Sequence, residues 1–209
     1  MQITLGGMSN TALDMTDPDR RRARMAGLEQ RWRVVAMLPR QPAVDIVIPV
    51  HNDEADLERS VGGLHAYLQR DFPFSWRITI ADAASTDGTL KIAWRLSSDY
   101  PDVRLLRLNE SGRGRALAAA WLTSDARVVA QLDCRAPELS GLLPIVAPII
   151  SGRTDLSIAR RLGGLIKGLR ADVARRLLPT VGNRDWFFDL ELLLRAERAG
   201  FRIHVLPAA

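Results

Sequence analysis

Cysteine and long apolar runs are both scarce in this chain of 209 residues. Its one cysteine, Cys134, excludes an intramolecular disulfide and is compatible with a reducing cytoplasm. No segment reaches the roughly 18 consecutive apolar residues of a membrane span, and no apolar signal-peptide core lies near the start. Internal repeats and low-complexity tracts are missing too. We therefore expect a cytoplasmic protein, either free or peripheral to the inner membrane face.

Charge allows several anionic partners but selects none of them. The net charge is +5 and the sequence pI is about 10.3, which would suit nucleotide phosphates, lipid head groups or nucleic acid. Arginines spread over helix surfaces explain the same charge without a ligand. Aromatic residues make up only 6% of the chain and do not interleave with basic ones, so we do not expect a nucleic-acid partner.

The order of apolar runs predicts one α/β domain behind a basic N-terminal region. Residues 1–42 are expected to form a flexible leader and an arginine-rich helix, and residues 43–209 the domain. There, short β-branched runs alternate with longer helical ones, which is typical of a mostly parallel sheet with helices on both faces. We predict strands at 44–50, 76–82, 103–108, 127–132, 155–159 and 202–206, and helices at 54–70, 88–98, 113–124, 138–150, 171–178 and 187–199.

Polar turns follow the first two predicted strands. In an open α/β sheet, ligands bind at the carboxyl edge of the strands, so these turns indicate where a site lies. Asp82 ends the second strand, where it could accept hydrogen bonds from a base or a ribose. Asp87 and Gly88 also suit an ordinary turn and helix cap, and this interpretation stays open beside a binding role.

Three further segments contain residues suited to chemistry. Arg113, between two glycines before a helix, suits phosphate contact, although the turn matches no Walker pattern. Asp133, at the end of the fourth strand, could meet a metal or a ribose, or cap the next helix. Asp189 and Glu191 lie in the first turn of the last helix, where carboxylates favour the helix dipole. The alternative is that one of them faces the cleft as a base or acceptor-orienting group.

Taken in this order, the segments resemble family 2 glycosyltransferases of the GT-A fold, especially the polyprenyl-phosphate (dolichol-phosphate mannose synthase-like) branch. Residues 49–54 resemble the opening P-x-x-N-E element, and residues 82–89 resemble the D-D-G-S-T-D-G-T turn. Residues 112–114 are similar to the G-K-G loop, and residues 133–135 stand where the D-x-D belongs. Later matches are the strand that ends at a substrate-binding arginine (155–161), the F-D-x-E element (188–191) and the G-x-x-I element (200–203).

The resemblance implies a Rossmann-like GT-A fold and an inverting transfer from a nucleotide-diphosphate sugar, with a lipid phosphate as a candidate acceptor. Asp189 and Glu191 would be the catalytic residues, needed to remove a proton from a hydroxyl acceptor but not from an ionised phosphate. Asp133 would bind Mg²⁺ or Mn²⁺, which would act as a Lewis acid. The implied substrate contacts are Pro49, Val50, His51, Glu54, Asp82, Asp87, Arg113, Asp133, Cys134, Arg135 and Arg161.

The chain also departs from the family pattern. Ala83 and Ala84 replace an Asp and a Gly, and Arg135 replaces the second metal carboxylate. A guanidinium repels a cation, so Asp133 alone makes a poor metal site, and Arg135 could pair with the diphosphate instead. After Arg161 the long segment that would form much of the acceptor wall is missing, so the acceptor portion is expected to be truncated. A catalytically degenerate nucleotide- or partner-binding protein is therefore the alternative to an active transferase.

Overall fold

The structure is a computed structural model that describes residues 41–135, 139–161, 164–184 and 187–206, apart from the side chains of residues 160, 161, 164 and 165. The predicted N-terminal leader and most of the region 1–42 lie outside the described residues. No helix in the described ranges is both long and apolar enough to cross a bilayer.

In these ranges, seven strands form one mixed sheet in the order β3-β2-β1-β4-β6-β5-β7. β1, β2, β3 and β4 are parallel neighbours, as are β5 and β7, whereas β6 runs antiparallel to both β4 and β5. The α/β fold with a mostly parallel sheet is therefore confirmed. The strands are β1 (Val44–Val50), β2 (Trp76–Ala83), β3 (Val103–Leu108), β4 (Val128–Gln131), β5 (Leu156–Arg161), β6 (Gly164–Arg170) and β7 (Ile203–Leu206).

Helices cover both faces of the sheet. They are α1 (Leu57–Asp71), α2 (Thr89–Asp99), α3 (Arg113–Thr123), α4 (Leu142–Ile150), α5 (Ala171–Leu177) and α6 (Phe188–Arg198), and a 3₁₀ turn (Leu178–Thr180) follows α5. One apolar core includes Ile46 and Ile48 of β1 with residues of α1, α2 and α4, while Val47 faces a second core with α3, α5 and α6. This alternation is the period of two expected for a strand buried on both sides.

The strand β6 was not among the predicted elements. Its sequence, GLIKGLR, contains two glycines, which are depleted in strands, and two cations, so its composition is closer to that of a loop. Two residues join β5 to β6, and Arg161 pairs with Gly164. A hairpin of two strands therefore occupies the place where the family pattern has the long segment that the sequence analysis found missing.

A buried polar cluster holds the amino end of β1. The Asp45 carboxylate is fully buried and accepts hydrogen bonds from the Arg77 guanidinium, the Thr79 hydroxyl and the Ser124 hydroxyl, each at 2.7 Å. Because a buried carboxylate is stable only when it is paired and hydrogen-bonded, this cluster fixes β1 against β2 and the α3–β4 connection. It lies at the edge of the sheet opposite the predicted site.

Candidate active site

Two loops at the carboxyl edge of the sheet bind each other, residues 51–56 after β1 and residues 84–88 after β2. Asn52 adopts a φ of 55°, a left-handed conformation that asparagine tolerates better than most residues. Its N–H donates to the Ser85 hydroxyl at 3.0 Å, and its side-chain oxygen accepts the Thr86 N–H at 2.8 Å. The pair of loops therefore forms one connected rim above the strand ends.

Glu54 and Asp87 belong to the same rim. The Glu54 carboxylate accepts the Gly88 N–H at 2.6 Å, and the Asp87 carboxylate accepts the Thr89 N–H at 2.9 Å. These bonds satisfy amide groups at the start of α2 that have no partner inside the helix. Both side chains join the loops in this structure, and their predicted contact with substrate stays a prediction.

Asp82 is fully buried beneath this rim. One carboxylate oxygen accepts the Ser85 N–H at 3.2 Å, and the other has no hydrogen-bond partner among the described residues. A buried acceptor without a donor costs free energy, so a ligand that supplies a donor here would be stabilised. Pro49 and Val50, also predicted substrate contacts, are buried at the end of β1, where Val50 pairs with Asp82.

Ion pairs occupy the carboxylates next to the D-x-D position. The Arg113 guanidinium lies 3.3 Å from Asp133, and the Arg135 guanidinium lies 3.1 Å from Asp53 and 3.4 Å from Asp56. Both arginines are accessible to a ligand, with 44% and 67% of their side chains exposed. The predicted site residues Arg113, Asp133 and Arg135 are therefore brought to one place, together with two aspartates that the sequence analysis did not single out.

The residues at the D-x-D position do not fit a divalent metal ion. Asp133 supplies one carboxylate, which accepts the Arg135 N–H at 3.1 Å and pairs with Arg113. Burial, with the nearby Asp53 carboxylate, raises the pKa of the Cys134 thiol to about 12, so this soft ligand stays protonated. In the described part of the chain, no group of three His, Cys, Asp or Glu side chains is arranged to hold a metal.

A cavity of about 350 Å³ opens beside this cluster. His51 and Arg113 line it from the carboxyl edge of β1 and the start of α3, and Asp189 lines it from the start of α6. The His51 ring donates from Nδ1 to the Ala83 carbonyl at 2.7 Å, which orients the ring. Three predicted site residues from distant parts of the sequence therefore share one cavity.

Asp189 and Glu191 differ in their surroundings. The Asp189 carboxylate forms an ion pair with Lys167, which the sequence analysis did not single out. The Glu191 carboxylate accepts the Asn183 and Gly182 N–H groups and pairs with Arg195, and these contacts, in that order, lower its pKa to about 2. The structure therefore places Asp189 at the cavity and Glu191 against the preceding loop, where it organises backbone.

One predicted contact cannot be placed in the site. The backbone of Arg161 ends β5, but its side chain lies outside the described part of the structure. Its role as a substrate contact stays a prediction.

Comparison with known sequences gives one family. The family profile described as "Glycosyl transferase family 2" matches residues 45–198. The chain is 25% identical over 204 residues to "Glycosyltransferase AglD" of Haloferax volcanii, covering 78% of this chain and 32% of that protein. It is 23% identical over 208 residues to "Dolichyl-phosphate beta-glucosyltransferase" of Dictyostelium discoideum, covering 77% and 64%. The chain thus spans less than two thirds of the length of these relatives.

Solved structures show the same fold. A mannosyltransferase of Pyrobaculum calidifontis, solved with GDP-Man and Mn²⁺, superimposes with a TM-score of 0.62 at 19% identity, over 90% of this chain and 64% of that chain. Glucosyl-3-phosphoglycerate synthase of Mycobacterium tuberculosis, solved with Mn²⁺ and UDP, gives 0.61 at 18%, over 78% and 69%. The expected GT-A-type fold is therefore confirmed.

Proposed function

Because this chain belongs to glycosyl transferase family 2, we propose that it transfers a sugar from a nucleotide-diphosphate sugar to a lipid phosphate, with inversion at the anomeric carbon. The observation that carries the proposal is the meeting of Arg113, Arg135 and Asp189 with the paired loops at the carboxyl edge of the sheet. Relatives with dolichyl-phosphate glucosyltransferase in their names support the acceptor class.

The donor diphosphate would bind to the two exposed arginines. Each guanidinium is now paired with a carboxylate, and an incoming diphosphate would replace that carboxylate as the partner. Arginine presents two parallel N–H donors to phosphate oxygens and keeps its charge at all relevant pH values. Arg113 begins α3 directly after Gly112, so helix N–H groups also point toward this place.

Donor binding is proposed to be independent of a metal ion. As the sugar leaves, negative charge develops on the diphosphate, and fixed positive groups stabilise that charge. With a guanidinium at the second D-x-D position, Arg113 and Arg135 would supply this stabilisation. Asp82 and its unpartnered oxygen are suited to hold a donor group of the nucleoside.

The acceptor would enter at the cavity beside Asp189. A phosphate monoester has a second pKa near 6 and is already mostly ionised at neutral pH. It can therefore attack the anomeric carbon without transferring a proton to the protein. A lipid phosphate remains in a bilayer, so the proposal includes peripheral association with the cytoplasmic membrane face.

Isothermal titration of the full chain with GDP, UDP and their sugars tests donor binding, and transfer of a radiolabelled sugar to polyprenyl phosphate tests the reaction. We expect binding to persist in EDTA. We expect the affinity to fall by about 10- to 100-fold in Arg135→Ala, because the variant loses a charge-assisted hydrogen bond to the diphosphate. Arg70→Ala is the matched control, because Arg70 is an exposed, ion-paired arginine at the far end of α1. Failure of every nucleotide to bind, or binding only with Mn²⁺, would contradict the proposal.

A catalytically degenerate binding protein is the second candidate. The specific observations in its favour are Arg135 at the D-x-D position and the two-residue connection between β5 and β6. Nucleotide binding without transfer to any acceptor would select this candidate.

A further inference from the structure

A lysine is buried directly behind the cavity wall. Lys167 lies on β6 with only 2% of its side chain exposed. Its ammonium is 5.2 Å from the centroid of the Trp121 ring and 5.0 Å from that of Phe188, distances at which a cation is attracted to aromatic faces. An ammonium in such a place is stable only with a partner of opposite charge.

That partner is Asp189. The Lys167 ammonium donates a hydrogen bond to the Asp189 carboxylate, which is 29% exposed and lines the cavity. The carboxylate therefore stands between a buried cation on one side and the open cavity on the other. Lys167 therefore holds the Asp189 carboxylate in orientation from the buried side, without contacting a substrate in the cavity.

The other surroundings of Lys167 favour its neutral form, so its charge depends on the contact with Asp189. Burial lowers the pKa of Lys167, and the nearby Arg113 guanidinium lowers it further. In the strand pairing, Lys167 lies between Gln131 of β4 and Ile158 of β5, and neither is charged. Among the residues that the structure describes, His51 and Arg113 are the titratable or charged side chains that line the cavity with Asp189.

We infer that Lys167 is a positioning residue that keeps the Asp189 carboxylate ionised and oriented toward the cavity, where it accepts hydrogen bonds from substrate hydroxyls and does not deprotonate the acceptor. This inference rests on the proposed function and narrows its acceptor. A carboxylate that is hydrogen-bonded to a buried ammonium has a low affinity for protons, so it is a poor base for a sugar hydroxyl. The acceptor class that fits is a nucleophile that needs no base, such as an ionised phosphate, whose charge Arg113 in the same cavity would offset.

The direct test is a titration of the Asp189 carboxyl carbon by NMR, in wild type and in Lys167→Met. Methionine keeps the length and apolar stem of the side chain but removes the charge. We expect Asp189 to stay ionised below the usual range of an aspartate in wild type, and its protonation midpoint to rise by about one pH unit or more in the variant. Lys91→Met, which removes an exposed lysine on α2, should leave the midpoint unchanged.

Equal midpoints in wild type and Lys167→Met would overturn the inference. If Lys167→Met does not fold, the wild-type titration alone decides, because a midpoint at or above the ordinary value for aspartate also overturns it. This test needs no substrate, so it separates the inference from the proposed function. Absence of nucleotide-sugar binding would contradict the proposed function but would leave the NMR result for Asp189 unchanged.

Transfer assays test the acceptor class. With wild type we expect transfer to polyprenyl phosphate and none to a methyl glycoside, whose nucleophile is a hydroxyl. Lys167→Met should lower kcat while the KM for the donor changes less than twofold, and its rate should decline on acidification at a higher pH than the wild-type rate. Transfer to the methyl glycoside at an equal or greater rate, or identical pH profiles, would refute the role assigned to Lys167.

Discussion

Replacing Asp189 by asparagine would remove the negative partner of a buried ammonium while keeping the shape of the side chain. Lys167 is almost fully buried against two aromatic rings, so water cannot take the place of the carboxylate. Removal of one partner from a buried ion pair usually costs about 3–5 kcal/mol of the free energy of unfolding. Two charges about 4 Å apart at an effective dielectric constant near 20 interact by about 4 kcal/mol, which agrees.

In Asp189→Asn, Lys167 can lose its proton, and this limits the loss in the free energy of unfolding. The ordinary pKa of a lysine side chain is 10.5, so deprotonation at pH 7 costs about 4.8 kcal/mol and at pH 9 about 2 kcal/mol. Since burial lowers the pKa of Lys167 in the folded chain, the unfolded chain binds more protons between that lowered value and 10.5. The free energy of unfolding of Asp189→Asn therefore rises with pH across this window.

Chemical denaturation of wild type, Asp189→Asn and the double variant Lys167→Met/Asp189→Asn at pH 7 and pH 9 would test these values. We expect the single variant to lose about 3–5 kcal/mol at pH 7 and to recover about 2–3 kcal/mol by pH 9. The double variant has no buried charge, so it should be more stable than Asp189→Asn at pH 7 and should lack this recovery. A loss below about 1 kcal/mol at pH 7 that does not change with pH would refute a buried, charged Lys167 paired with Asp189.

Three other substitutions test the fold around the site. In Gly114→Ala the new methyl group would lie 2.6 Å from the Arg184 carbonyl oxygen, so we expect the free energy of unfolding to fall by about 1–3 kcal/mol and nucleotide binding to weaken. Gly63→Ala is the control, because its methyl group meets nothing within 4 Å and should be neutral or stabilising. Asp45→Ala removes the carboxylate acceptor of the Thr79 and Ser124 hydroxyls and leaves Arg77 with Asp125 as its partner, so it should cost about 3–5 kcal/mol in denaturant. A smaller loss than a surface aspartate gives would contradict its burial. Two arginines lower the pKa of Asp155 to about 2. Asp155 therefore contributes about 2 kcal/mol to the free energy of unfolding above pH 4, and this contribution is lost as the pH falls through 2. The stability of Asp155→Asn should decline less steeply with acid than that of wild type.

Local patterns are enough to predict most of the secondary structure. β1 has its predicted bounds because five of its seven residues are Val or Ile, which favour a buried strand. β6 escapes prediction, because its glycines and cations are typical of a loop, and only the neighbours β4 and β5 make it a strand. Helix ends are less accurate, and α1 begins at Leu57 instead of residue 54.

The sequence predicts where the site lies better than it predicts which contacts the site residues make. The order of motifs places His51, Arg113 and Asp189 at the carboxyl edge, and the structure brings them to one cavity. Glu54 has the same kind of side chain as Asp189, yet its carboxylate accepts an N–H from a loop 34 residues away. No local pattern distinguishes a carboxylate that faces a cavity from one that joins two loops.

The sequence by itself determined the alternation of strands and helices, the family, and the edge of the sheet where the polar turns gather. Those properties depend on side-chain periodicity and on residue types within a few positions, which a chain carries before it folds. Only the tertiary structure decided that Lys167 pairs with Asp189, that Arg113 pairs with Asp133, and that Arg135 pairs with Asp53. It also decided that β6 forms a strand between β4 and β5. Each of those ion pairs joins residues 20 to 82 positions apart, so the charge that a side chain meets is set by how the chain returns on itself.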